Sequence, residues 1–236
     1  MPESVVLEYD EWGLSFVVEG DAWRPTPHGE TLAHFLWKEQ DLLAGKNVLE
    51  LGAGCAIHTA LIAKHQPESI VATEILPEFL ENTRENLERN EIDVSVDLIV
   101  ADWLNLEGSF DAIVTNPPFA RSGKQNRRYF IDDLILNAHK RLNAEGELLF
   151  IQSSMADIPK SLARLDENGF EAEVVASKRF PFRDYYYEDP SFLEEAASVE
   201  QGFERVEGKE WETLSVIHAK LRPFTPPDFA HALVED

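Results

Sequence analysis

The sequence predicts an α/β fold, a mostly parallel doubly wound sheet with helices on both faces. Three observations carry this. From about residue 46 onward, short apolar runs such as "DAIV" alternate with segments of helical period. The lengths between successive strand-like runs suit crossover connections, which return a chain parallel to the strand it left. The 236 residues also lie within the range of one larger α/β domain.

The elements follow in chain order. "VVLEY" and "LSFVV", separated by "DEWG", read as a hairpin within an N-terminal β extension, residues 1–28, that packs on the core. In "HGETLAHFLWKEQDLL" the apolar stripe of Leu32, Phe35, Leu36, Leu42 and Leu43 predicts a helix ending at Gly45. "KNVLEL" is a buried strand and "AIHTALIAKH" a helix; "SIVATEI" is a strand, and "PEFLENTRENLERN" a helix with Pro77 in its first turn. "VSVDLIVA" and "FDAIVTN" are strands, "RRYFIDDLILNAHKRL" a helix, "GELLFIQSS" a strand, and "IPKSLARLDENGF" a helix closed by Gly169. "EAEVVASKRF" and "WETLSVIHAKL" are the last strands. Between them an insertion at about residues 181–210 has room for a helix near Ser191 to Gln201. The main domain spans residues 29–221, and the proline-rich tail, 222–236, is irregular.

Composition narrows the function. Lys and Arg total 21 against 44 Asp and Glu, a net charge of -23, so the molecular field repels nucleic acid. Two basic groups break the pattern: Arg121, Lys124, Arg127 and Arg128, then Lys178, Arg179 and Arg183. No apolar run approaches the roughly 18 residues of a membrane span, and Met1 to Asp10 lack a leader pattern, so a cytoplasmic protein is expected. The single cysteine, Cys55, excludes an intrachain disulfide and a multi-cysteine zinc site, and no metal is expected.

The chemistry-bearing motifs stand at strand ends, where a doubly wound sheet binds its ligands. In "VLELGAGCAI", Gly52 can make a tight turn and Gly54 can let a ligand approach the backbone. The third glycine of the dinucleotide fingerprint is missing, with Ala56 and Ile57 in its place, which disfavours a NAD-dependent dehydrogenase. Glu50 is badly placed for a phosphate and well placed for a cationic ligand. Glu74, 22 positions after Gly52, can accept both hydroxyls of a ribose. Asp102 in "VADW" can accept from an adenine amino group, with Trp103 as a flat neighbour.

With "TNPPFARSG" added, the sequence resembles the class I S-adenosylmethionine-dependent methyltransferases, in the small-domain group that carries Asn-Pro-Pro-Phe or Asn-Pro-Pro-Tyr. The similarity runs from about Thr26 to Leu221 and rests on "LELGAGCA", "ATE", "ADW" and "NPPF" in that order. "RPTPHGETL" is similar to the segment preceding the domain in release-factor glutamine methyltransferases. The resemblance implies a Rossmann-like fold with a mostly parallel seven-stranded sheet, and S-adenosylmethionine as cofactor. It further implies that Glu50, Gly52 and Gly54 surround the methionine part, that Glu74 holds the ribose, that Asp102 meets the adenine, and that Asn116 stands at the methyl group.

Asn-Pro-Pro-Phe has its own physical reading. Methyl transfer from a sulfonium is an in-line displacement, so the enzyme must aim a nitrogen lone pair at the methyl carbon. If Asn116 Oδ1 and the Pro117 carbonyl each accept a hydrogen of a planar NH2 group, the nitrogen is oriented and enriched as it pyramidalises. Pro117 and Pro118 stiffen the loop, and Phe119 offers a face for stacking. Pro118, Arg121, Arg128 and Tyr186 are candidate acceptor contacts, with "DYYYED" read either as an aromatic lid or as a strand extension. His28 is a candidate rim residue, while His58, His65 and Cys55 read as packing.

Protein glutamine amides and nucleobase exocyclic amines both present a planar NH2, so the motif does not separate them. Charge favours a protein glutamine or a small-molecule amide or amine over a base in RNA or DNA. A catalytically silent binding module on the same fold is the non-enzyme alternative, disfavoured by the intact Asn116.

Overall fold

The structure is a computed structural model, and it describes residues 4–19, 24–118, 128–188 and 190–223. A hairpin of β1 (Val5–Tyr9) and β2 (Leu14–Val18) precedes helix α1 (Pro27–Lys38). Then come β3 (Asn47–Leu51), α2 (Ile57–Lys64), β4 (Ser69–Glu74), α3 (Pro77–Arg89), β5 (Val96–Val100) and β6 (Phe110–Thr115). The second half holds α4 (Tyr129–Asn137), β7 (Leu142–Ser153), α5 (Ile158–Glu167), β8 (Phe170–Pro181), α6 (Pro190–Ser198), β9 (Glu204–Val206) and β10 (Lys209–Leu221).

The main sheet runs β5-β4-β3-β6-β7-β10-β8, with β9 attached to β10. Its first five strands are parallel, whereas β10 is antiparallel to β7 and β8 on either side. The seven expected strands are present. The eighth, β9, went unread because three exposed residues, "ERV", carry no periodicity. The chain leaves β3 outward through β4 and β5 and returns at β6 on the other side of β3. The order reverses between β3 and β6, the switch point at which a doubly wound sheet takes its ligand, in the crevice beyond the carboxyl ends of the strands.

Strand alternation feeds a core on each face. Val48, Val114 and Val216 pack with Leu32, Leu36 and Leu61 on one side. Leu49, Ile113 and Ile217 pack with Leu134, Ile135 and Leu165 on the other. A smaller cluster, Met155, Phe182, Tyr186, Phe192 and Ala196, seats the 181–210 segment. "DYYYED" is not a strand extension: Asp184–Tyr186 make a single 3-10 turn, which drops Tyr186 into this cluster at 0% exposure.

The outward edge of β2 has no strand beside it. Asn86 accepts from Val17 N at 2.7 Å and donates to Val17 O at 2.8 Å, and Asn90 does the same for Ser15 N and O at 2.9 and 2.8 Å. Asn82 adds a donor to Val17 O at 2.9 Å. Spaced four apart on α3, these amides share one face, and each offers a donor and acceptor pair like a peptide group. Trp12, Leu14, Phe16 and Val18 are thereby buried against the core. Among the described residues, no helix is long and apolar enough to cross a membrane.

Candidate active site

The crevice is built from strand ends. Past β3 the backbone turns through Gly52 (φ 78°) and Gly54 (φ 56°), left-handed conformations that a side chain would strain. The amides of Gly52 and Ala53 are anchored on Thr73 O at 3.1 and 2.9 Å. A Cβ built on either glycine meets nothing within 4 Å, so the loop borders open space.

Glu50 lies under this loop at 1% exposure. Its Oε2 accepts from Thr59 Oγ1 at 2.5 Å, while Oε1 is buried without a hydrogen bond, and His58 Nδ1 stands 3.8 Å away. Burial pushes its carboxyl up to about 8, against the Thr59 hydrogen bond and with help from the neighbouring Glu74 charge. A buried carboxylate oxygen lacking a donor is the group a cationic ligand would satisfy.

Glu74 reaches back from β4: its Oε1 accepts from Gly54 N at 2.6 Å and its Oε2 from Ile75 N at 3.2 Å. Burial raises its carboxyl, and those two backbone bonds oppose the rise. Thr83 of α3 pins the same turn by donating to Gly54 O at 2.7 Å. Thr59 and Thr83 escaped the sequence reading, because a threonine inside a helix carries no signal until tertiary structure supplies its partner.

Asp102 is exposed just past β5, on the same side of the crevice. Trp103 (φ 54°) turns its ring edge-on to Phe130 at 5.2 Å, partly buried beside the α4 face of the core. The three acids thus stand at the ends of three adjacent strands.

Asn116 follows β6, whose end is tied to β3 by Thr115 Oγ1 donating to Leu51 O at 2.9 Å. A Cβ on Gly29 would sit 3.5 Å from Asn116 Nδ2 and 3.7 Å from His58 Cε1, so the first turn of α1 closes this side. His58 Nε2 meets Gly29 O at 2.9 Å, and the ring, its proton affinity lowered to about 4 by burial, is neutral with Nε2 as donor. His58 therefore spans the space between Glu50 and the turn beside Asn116, more than the packing role expected of it. His65 does pack, accepting from Leu43 N at 3.3 Å. Pro117 is buried and Pro118 exposed. Phe119 and Arg121 lie outside the described residues, as do Lys124 and Arg127.

On the far side, Ser153 ends β7, Glu212 lies in the first pleats of β10, and Arg183 follows β8. Glu212 accepts from Ser153 Oγ at 2.6 Å and from Tyr186 Oη at 2.9 Å. Tyr186 Oη in turn accepts from Arg183 Nε at 3.0 Å. Arg183 Nη2 approaches His28 Nδ1 at 3.4 Å, and His28 is buried, not a rim residue.

Two expected acceptor contacts are corrected by this geometry. Arg128 is 6% exposed, and its guanidinium donates to Ala156 O, to Asp157 O at 2.9 Å and to Asp132 Oδ1 at 2.8 Å. It braces the turn after β7 instead of facing the crevice. Tyr186 likewise turns its hydroxyl inward, leaving Arg183 as the group that it positions.

A family model, the methyltransferase small domain, matches residues 30–180. The chain belongs to this family of class I S-adenosylmethionine-dependent methyltransferases. A Methanocaldococcus jannaschii protein assigned to the protein N5-glutamine methyltransferases is 28% identical over 155 residues, 59% of this chain and 78% of that one. The ribosomal RNA small subunit methyltransferase C of Actinobacillus pleuropneumoniae is 34% identical over 160 residues, 66% of this methyltransferase but only 46% of its relative. The chain thus spans less than half the length of that rRNA enzyme. Among solved structures, a T. thermophilus 16S rRNA methyltransferase in complex with S-adenosylmethionine and guanosine superposes with a TM-score of 0.61 at 19% identity, covering 93% of this chain and 50% of that one. That likeness extends to the fold.

Proposed function

We propose that this methyltransferase moves the methyl group of S-adenosylmethionine to a planar nitrogen, a protein glutamine amide or a small-molecule amide or amine. The carrying observation is the position of Asn116 at the switch point, between a glycine loop floored by an orphaned buried carboxylate and a separate polar floor. The residues fit the cofactor: Glu50 Oε1 is buried without a donor, the space over Gly52 and Gly54 is open, and Glu74 caps the loop.

When bound, S-adenosylmethionine supplies an electrophilic methyl on a sulfonium. Glu50 would face its cationic methionine end, Glu74 the ribose, and Asp102 the adenine edge, with the Trp103 body bordering that pocket. Asn116 Oδ1 and the Pro117 carbonyl would accept the two hydrogens of the acceptor NH2, holding its lone pair along the displacement axis. Phe119 is assigned the stacking face and Pro118 the rim, while Arg121 is left as a candidate contact to an acceptor anion.

A nucleobase exocyclic amine is the second reading, favoured by the 34% identity to the rRNA enzyme. The net charge of -23 weighs against it. The test incubates the protein with methyl-tritiated S-adenosylmethionine and a methylation-depleted lysate, then digests with nuclease or protease. Label released by protease alone supports the glutamine reading, label released by nuclease the nucleobase reading, and label only in soluble metabolites a small-molecule acceptor. Asn116→Ala should lose 10²–10³-fold in labelling, the scale of removing one preorganised polar group, with cofactor affinity retained. Full labelling by that variant would sink the amide-acceptor mechanism.

A further inference from the structure

Arg183 is held in a way that its charge alone does not explain. Most described arginines of this acidic chain sit against a carboxylate: Arg84 with Glu81, Arg128 and Arg164 with Asp132, Arg179 with Glu204, Arg205 with Glu210, Arg222 with Asp166. Arg183 makes no such pair among the described residues. Its guanidinium lies over the rings of Tyr185 and Tyr186, 4.9 and 5.0 Å from their centroids. Nε and Nη2 both donate to Tyr186 Oη, and Nη2 also faces a neutral His28 ring, which leaves Nη1 uncommitted.

The support beneath is costly. Glu212 is 1% exposed and spends both oxygens on Ser153 and Tyr186, so it orients the tyrosine without pairing with the guanidinium. A buried carboxylate, serine and tyrosine are machinery that an apolar cluster would do without. Their combined effect is to aim a half-buried planar fork whose charge is balanced only through the Tyr186 hydroxyl, by Glu212 behind it, a geometry suited to a direct carboxylate partner.

Topology gives the direction. β8 is parallel to β6 and ends on the same side of the sheet, so Arg183 follows a strand end as Asn116 does. Its side chain reaches back to His28, and the next residue, Gly29, abuts the Asn116 amide. With the cofactor acids at β3, β4 and β5, the β7, β10 and β8 side of Asn116, where Arg183 stands, is left for the acceptor.

We propose that Arg183 binds a carboxylate of the methyl acceptor. This rests on the nitrogen-methyltransferase reading. An amino-acid-like acceptor, or a peptide with its C-terminal carboxylate or an acidic side chain beside the methylated residue, meets the condition, because one local charge can be satisfied at Arg183 alone. A long polyanion would have to run beyond a Debye length of about 8 Å over a strongly acidic surface.

The test titrates S-adenosylhomocysteine-loaded protein by calorimetry with N-acetylglutamine and with N-acetylglutaminamide. Both carry a planar side-chain amide, but only the first has a carboxylate. The wild type should prefer the carboxylate at least tenfold; Arg183→Gln should lose the preference while binding S-adenosylhomocysteine within twofold of wild type. Arg183→Lys should keep part of it, and Tyr186→Phe should weaken it, which guards against one variant that fails to fold. A wild type that binds the two equally or takes neither, or an Arg183→Gln protein that keeps the preference, overturns the proposal. Discrimination seen only between guanosine and guanosine 5′-monophosphate would also overturn it, in favour of a phosphate. Failure of the wild type to bind S-adenosylhomocysteine would instead strike the methyltransferase reading, and it is read independently.

Discussion

At the scale of single residues, the proposed place of Glu50 in the cofactor site would tie cofactor binding to pH. An exposed glutamate titrates near 4.5, whereas burial moves Glu50 to about 8, so the folded, ligand-free protein favours its protonated form. Its contribution to stability is therefore fully present below about pH 4.5 and is lost as the pH rises through about 8. A cationic ligand selects the ionised form, drawing a proton off Glu50 as it binds. The dissociation constant for S-adenosylmethionine should tighten from pH 6 to about 8 and then level off, by up to about tenfold per unit. In Glu50→Gln the slope should vanish and the affinity at pH 8 should fall; calorimetry across that range decides, and an unchanged slope would exclude Glu50 as the titrating group. This site was legible as a set of residue types, acid and glycine at a strand end. The donor deficit at Oε1, Thr59 beneath it and the reach of His58 toward Gly29 were not, because a pattern along the chain cannot say which side chains meet across it.

At the scale of elements, the clearest gap between sequence and structure is α3. The helix and Pro77 in its first turn were readable, whereas nothing in the sequence singled out Asn82, Asn86 and Asn90. They serve as the missing neighbour of β2, and only the partner's arrival reveals that. Replacing Asn86 and Asn90 together by alanine would strand Ser15 N, Ser15 O and Val17 N, while Asn82 still holds Val17 O, at up to about 1–3 kcal/mol for each half-buried group left unpaired. The thermal midpoint should drop by about 2–4 °C per kcal/mol lost, with cofactor affinity little changed. An unaltered midpoint would mean that the hairpin is held by its apolar face alone. The central strands β3, β6 and β7 were legible because burial on both faces writes continuous apolar runs. "ERV" and "DYYYED" were not, since a three-residue strand and a single 3-10 turn are shorter than the periods that identify them.

At the scale of the whole molecule, the net charge of -23 and the two-sided crevice act together. The acidic surface sets what can approach, and the sparse cations set what can be held. Fluorescence anisotropy with a labelled RNA oligonucleotide at 150 mM salt should show binding weaker than the ~1–100 μM usual for non-specific nucleic-acid proteins. Tight, salt-sensitive binding would reverse the preference for a protein or small-molecule acceptor. The strand order has a further consequence during synthesis. β8 has no neighbour in the sheet except β10, which lies at the end of the described chain. At about 5–20 residues per second, a nascent β8 waits several seconds for its partner to be translated. The five parallel strands can associate before then. On the ribosome, the half of the crevice proposed for the cofactor can take shape first, and the Tyr186 hydroxyl that holds Arg183 gains its anchor on Glu212 only when β10 slots between β7 and β8.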